Sequence, residues 1–208
     1  MINILIVEDQ AMLKDSLEYL LNNQDGMKVI AVTDDASKAP ELCRELKPDL
    51  VLMDVITKES NGIVFAAQIR KEMPKVKIVI MTSFPEITFL NEARKIEAHS
   101  FIYKSSGNEH LIYVIRSTMR GIGYYPGPAD EPPYADQLTE NEIAIVRLIH
   151  KGAKRSEMLK ELGISEMTLK KNINSVLNKT GFDSITDFAV YAALNNLILP
   201  LQPLTRKS

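Results

Sequence analysis

Four short apolar runs in the first half of this chain each end on polar residues of a different kind. Ile2–Val7 runs into Glu8 and Asp9, Leu50–Met53 into Asp54, Ile78–Met81 into Thr82 and Ser83, and the shorter Phe101–Tyr103 into Lys104. A further run, Val29–Val32, brings the number to five. Runs that are apolar on both faces suit strands of a parallel sheet covered on both sides. Between them, Leu13, Leu17, Leu20 and Leu21 recur at helical spacing, as do Leu111, Val114, Ile115 and Met119. Five strands alternating with helices over residues 1–121 predict an α/β domain with a doubly wound, five-stranded parallel sheet. Ligands of such sheets bind beyond the carboxyl ends of the strands.

Those ends gather Glu8, Asp9, Asp54, Thr82 and Lys104 at one edge of the expected sheet. Each residue alone has a bland reading, since a lone Asp at a strand end usually caps a helix or a turn. Together they are harder to dismiss. Three carboxylates brought close repel one another unless a cation sits among them. A hard divalent ion with oxygen ligands fits, and Mg²⁺, which keeps several of its waters, fits best. An Asp carboxylate can act as nucleophile on a phosphoryl group. Lys104 would give that group a fixed positive charge, and Thr82 a hydroxyl donor.

The second half reads differently. Residues 124–133 hold four prolines and a glycine, which cannot continue a helix or a sheet, so 122–136 reads as a linker. Beyond it lies helical punctuation. Thr139-Glu140-Asn141-Glu142 forms a capping box for a helix ending near Gly152. A short helix at about 156–162 runs to Gly163, Ser165 caps a third helix that stops at Gly181, and Ser184 opens a fourth. Residues 137–208 are thus expected to form a small all-α domain of four helices. They carry ten Lys/Arg against seven Asp/Glu, whereas residues 1–121 carry fifteen against seventeen and residues 122–136 three acids alone. Only the last third is basic, a mild pointer to a polyanionic partner there. In its third helix, Ile173, Val176, Leu177 and Thr180 make a core stripe, with Lys170, Lys171, Asn174 and Asn178 on the other side. In the fourth, Phe188, Ala189 and Ala192 suit the core, while Val190, Tyr191, Leu194 and Leu197 make a second apolar stripe suited to pairing subunits.

Ile4-Leu5-Ile6-Val7-Glu8-Asp9, Pro48-Asp49-Leu50-Val51-Leu52-Met53-Asp54, Val79-Ile80-Met81-Thr82-Ser83 and Phe101-Ile102-Tyr103-Lys104 resemble the receiver domain of bacterial two-component response regulators. The resemblance implies that Asp54 is the phosphoacceptor. It also implies that Glu8, Asp9, Asp54 and the backbone carbonyl of Ile56 bind Mg²⁺, and that Thr82 and Phe101 are the switch pair. Thr57-Lys58 stands where the family usually has Met-Pro, although Gly62 is kept. Leu138-Thr139-Glu140-Asn141-Glu142, Gly152, Leu162-Gly163-Ile164-Ser165, Thr168-Leu169-Lys170 and Lys179 resemble the LuxR/NarL-type helix-turn-helix output domain. That resemblance implies DNA contacts by Leu169, Lys170, Asn172, Asn174 and Lys179. A sensor histidine kinase, promoter DNA and a second copy of the chain on phosphorylation are the partners to expect. One cysteine, Cys43, no basic leader and no long apolar run suit a cytoplasmic protein and no membrane. Cys43 itself reads as a small buried hydrophobe.

Two other classes compete with a regulator of transcription. A receiver-type regulator could use a degenerate helical domain to bind protein instead of DNA. An Asp-nucleophile phosphatase would need a general acid two residues after the nucleophile, where this chain has Ile56. Not an enzyme in that sense, the chain is expected to keep its phosphoryl group for long. In receiver domains the side chains two residues after the phosphoacceptor and two after the switch hydroxyl flank the hydrolytic water. Here they are Ile56 and Phe84, and neither can hydrogen-bond to that water. Positioning of this kind is worth orders of magnitude in rate. Loss of the phosphoryl group from the isolated protein in Mg²⁺ should therefore quicken when Ile56→Asn and Phe84→Glu are combined. A double variant no faster than the parent would refute water positioning as the cause.

Overall fold

The computed structural model describes residues 1–57, 60–84, 87–127, 134, 137–195 and 197–198. The chain divides into two compact units, Met1–Ser83 with Phe89–Asp130, and Phe84–Thr88 with Glu131–Ser208. In the first unit the expected sheet forms from β1 (Ile2–Val7), β2 (Met27–Thr33), β3 (Leu50–Asp54), β6 (Lys77–Thr82) and β7 (Ser100–Tyr103). The order is β2-β1-β3-β6-β7 and every pairing is parallel. The strands extend by up to two residues beyond the apolar runs at their ends, because ladder pairing needs only backbone. Two short strands, β4 (Ile56–Thr57) and β5 (Ser60–Asn61), form a separate antiparallel hairpin after β3. The helices between the strands are α1 (Ala11–Asn22), α2 (Ala39–Leu46), α3 (Gly62–Glu72), α4 (Ile87–Lys95) and α5 (Asn108–Met119).

Side chains alternate across a strand, so each strand feeds two cores. Ile4, Ile6, Leu50, Leu52, Val79, Met81 and Ile102 pack with Leu17 and Leu21 of α1 and with Leu111, Val114 and Ile115 of α5. Their neighbours Leu5, Val7, Val51, Met53, Ile78 and Ile80 are buried too, as are Ala39 and Cys43 of α2 and Ala66 and Ile69 of α3. Cys43 lies in this apolar setting, and burial pushes its thiol up to about 12.

The outer edge of β7 is occupied. The Phe101 N–H donates to the Tyr124 carbonyl at 2.8 Å. The Tyr124 N–H donates to Ser100 Oγ at 2.9 Å, and that hydroxyl lies 2.6 Å from Thr118 Oγ1. The Tyr125 hydroxyl donates to the Ala98 carbonyl at 2.7 Å, and its ring stacks on Phe101 at 19° between planes. The Arg94 guanidinium sits 5.5 Å from the centre of the same ring. Gly123 passes so near the His99 carbonyl that a Cβ there would collide with it. Within the stretch 122–136 expected to be linker, Tyr124, Tyr125 and Pro126 are instead packed parts of the first unit. Residues 128–133 and 135–136 of that stretch lie outside the described residues.

The second unit has the four expected helices, α6 (Glu140–His150), α7 (Arg155–Leu162), α8 (Glu166–Thr180) and α9 (Ile185–Leu194). Ser165 caps α8 and Ser184 caps α9 through their side chains. Gly163 takes φ 63° between α7 and α8, the left-handed conformation that turns one helix into the next and that glycine adopts without strain. Phe188, Ala189 and Ala192 fill the core as expected. The second stripe of α9 is narrower than its spacing suggests, because Leu197 is also buried there and Tyr191 packs against the same cluster. Only Val190 and Leu194 of that stripe stay exposed.

Glu142 ties this unit together. As the third residue of α6 it accepts from the Thr139 N–H at 2.7 Å, completing the capping box. The same carboxylate accepts from Lys179 Nζ of α8 at 2.7 and 3.0 Å, with Glu142 itself only 2% exposed. Burial pushes its pKa up, but hydrogen bonds from Lys179, Ser175 and Thr139 outweigh that and hold it down to about 2. Because the folded value is the lower one, the stabilisation is whole above the ordinary value of 4.5 and is lost as pH falls toward 2. Hydrogen exchange in the full chain should show protection of α6 and α8 amides fading between those pH values. Glu142→Gln should lower that protection at neutral pH by about 2–3 kcal/mol, since it leaves Lys179 without its carboxylate, and should abolish the pH dependence.

Candidate functional site

The register of the sheet decides which side chains meet. Parallel pairing sets Met53 beside Val7 and Ile80, and Asp54 beside Met81, so β1, β3 and β6 end together. Glu8 and Asp9 follow β1, Asp54 is the last residue of β3, and Lys104 opens the short helical turn after β7. Carboxylate oxygens of Glu8, Asp9 and Asp54 all lie within 4.8 Å of one another. Glu8 is fully buried and Asp54 is 3% exposed, while Asp9 is half-buried. The Lys104 ammonium reaches between them, 2.8 Å from Asp54 Oδ2 and 2.7 Å from Glu8 Oε2. Thr82 and Phe101, the expected switch pair, are both fully buried.

Burial pushes the Asp54 carboxyl up to about 6, against the pull of Lys104 and with the Glu8 charge adding to the rise. Three ionised carboxylates facing one ammonium leave two negative charges, which one divalent cation would balance. Glu8 Oε1 accepts from the Gln10 N–H at 3.1 Å, and its Oε2 faces the Lys104 ammonium. The all-oxygen donor set of the cluster is the one that hard divalent ions take. Gly62 closes the site from behind. A Cβ at this position would strike the Asp54 carbonyl oxygen, so α3 can start against β3 only with glycine there.

The helical unit divides its expected contact residues. Lys170 and Asn174 are exposed on α8, together with Lys171 and Asn178, and Asn172 is half-buried. Met167, Lys170, Lys171, Asn174 and Asn178 share one shallow depression along the helix. Leu169, expected as a contact, does not reach this surface. Leu169 is completely buried in the cluster with Ile145, Leu148 and Met158, so it packs the helix-turn-helix and presents nothing to a groove. Lys179 lines the same depression as Lys170 and Asn174, with its ammonium held by Glu142 of α6. Met167, at 81% exposure, and Lys171 are the residues that the surface of α8 adds.

Comparison with known proteins agrees with this geometry. Residues 4–116 match the family model of the response regulator receiver domain. The response regulator protein VraR of Staphylococcus aureus is 28% identical over 206 residues, covering 95% of this chain and 99% of that protein. A LuxR-family two-component response regulator from Aurantimonas superposes with a TM-score of 0.57 at 26% identity, over 66% of this chain and 94% of that one. The RcsB response regulator of Salmonella typhimurium shares the fold with a TM-score of 0.68 at 17% identity, over 91% of this chain and all of the other. With its acidic sheet end inside a match that spans more than half of its length, the chain belongs to the response regulator receiver-domain family.

Proposed function

We propose that this chain is a phosphorylation-controlled regulator of transcription, in which Asp54 takes a phosphoryl group from a sensor histidine kinase and the helical unit binds promoter DNA. The observation that carries the reading is Lys104 Nζ 2.8 Å from a buried Asp54 carboxylate, beside Glu8 and Asp9. An Asp54 oxygen forms the new O–P bond while the bond from phosphorus to the donor breaks. Lys104 then follows the phosphoryl oxygens, and Thr82 offers its hydroxyl to one of them. Glu8, Asp9, Asp54 and the Ile56 carbonyl would hold Mg²⁺, which supplies the positive charge that lets an anionic donor approach a carboxylate. Movement of Thr82 toward the phosphoryl group frees space beside Phe101, and two packings of that ring biased by one charge make a population switch.

On the helical unit, Lys170 and Lys171 suit phosphates, and Asn174 suits an adenine edge. Among the structures that share the fold over 95% of this chain, helical unit included, is an RcsB response regulator in complex with DNA, at 18% identity. Two-fold sites need two recognition helices about 34 Å apart, so phosphorylation should act by pairing two copies.

Acetyl phosphate with Mg²⁺ should add one phosphoryl mass to the parent and none to Asp54→Asn. Equal labelling of the variant would defeat the assignment of Asp54. The phosphorylated parent should shift promoter fragments with an affinity that falls steeply with salt, and Lys170→Ala combined with Lys171→Ala should flatten that salt slope by about two. Labelling without any salt-dependent DNA binding would favour a protein partner for the helical unit.

A further inference from the structure

The loop that follows Asp54 has little backbone support of its own. Its hairpin is two residues on each side, Ile56 opposite Asn61 and Thr57 opposite Ser60. Isolated two-stranded ribbons are marginal in water even when longer. What holds this one is a chain of side-chain hydroxyls anchored in the loop after β2. The Ser60 hydroxyl lies 2.6 Å from Asp35 Oδ1, and a carboxylate can only accept, so Ser60 gives its proton there. Asp35 is fixed in turn by the Ser37 N–H at 2.9 Å and the Ser37 hydroxyl at 2.8 Å.

With its proton committed, Ser60 Oγ can accept from Thr57 Oγ1, 2.9 Å away, and the Ser60 carbonyl lies 3.1 Å from the same hydroxyl. Thr57 Oγ1 then accepts from the Ala36 N–H at 3.3 Å. Thr57 is 1% exposed, so the hydroxyl is buried with every partner supplied by protein. On the far side, the Gly62 N–H donates to the Val55 carbonyl at 2.8 Å, and Asn61 caps α3 through the Ile63 N–H at 2.9 Å. Ile56 is thereby fixed on both sides, with its N–H 3.4 Å from Asp54 Oδ1 at the border of the acidic cluster.

We propose that Thr57 is a positioning residue which, through Ser60 and Asp35, fixes the Ile56 peptide beside the acidic cluster and so sets the affinity of the divalent-ion site. The inference rests on the reading of that cluster as a Mg²⁺ site. Groups that orient a metal ligand without touching the ion are typically worth 10–100-fold in affinity. A buried threonine with a purely space-filling role makes the opposite forecast, because Thr57→Val keeps its shape.

The test uses the full chain with MgCl₂ as the probe. Two midpoints are read, that of Mg²⁺-induced thermal stabilisation and that of Mg²⁺-dependent labelling of Asp54 by acetyl phosphate. Thr57→Val should raise both by about tenfold, with Thr57→Ser restoring them. Ser60→Ala, at a half-buried position that threatens folding less, should raise both in the same direction. Unchanged midpoints in Thr57→Val and Ser60→Ala would overturn the role of Thr57 while leaving the ion site standing. A parent that shows neither a Mg²⁺-induced shift nor Mg²⁺-dependent labelling would overturn the ion site and this role with it.

Discussion

Lys104 solves a problem that the parallel sheet creates. Strands that all run one way end at one edge, and in this chain three of the residues at that edge are carboxylates within 4.8 Å of one another. At such distances, away from bulk water, like charges cost several kcal/mol. One ammonium, itself almost wholly enclosed, sits against two of the three. It lowers the repulsion without cancelling it. The residual charge makes the sheet end a place where a cation and then a phosphoryl group have something to gain.

The second unit holds an instructive contrast. There Glu142 and Lys179 meet one to one, with the remaining lone pairs of the carboxylate satisfied by the Thr139 and Ser175 groups. A balanced pair of this kind joins two helices and asks for no ligand. The same two residue types thus serve as a joint in one unit and as part of a reactive cluster in the other. Counting charges and satisfied oxygens separates the two roles, whereas residue identity does not.

Much of this was legible in the order of residues. The five strands, their parallel class and the gathering of Glu8, Asp9, Asp54, Thr82 and Lys104 follow from apolar runs closed by polar residues. Period and strand direction are properties of a one-dimensional pattern. The helix starts at Thr139, Ser165 and Ser184 were legible because capping is local. What stayed hidden depends on partners far along the chain. Lys179 looks like a surface lysine until Glu142, 37 residues away, is seen to hold it. Leu169 looks like part of a reading face until Ile145, Leu148 and Met158 close over it. Thr57 was visible only as a departure from a family habit, since its purpose depends on Asp35 in another loop. The packing of residues 124–126 was hidden by the prolines around them.

That packing bears on how the protein behaves in a crowded solution. A sheet edge with open N–H and C=O groups is a template onto which another extended chain can add, and this is a common start of aggregation. On the β7 side the Phe101 N–H is already spoken for by Tyr124, and Tyr125 lies over the aromatic ring that a newcomer would seek. The residues doing this belong to the stretch that leads toward the second unit. Cutting the chain just before them, as a boundary at residue 121 would invite, leaves the receiver with a bare apolar edge. An isolated receiver should therefore stay monodisperse when it ends after Tyr125 and turn sticky when it ends before Gly123.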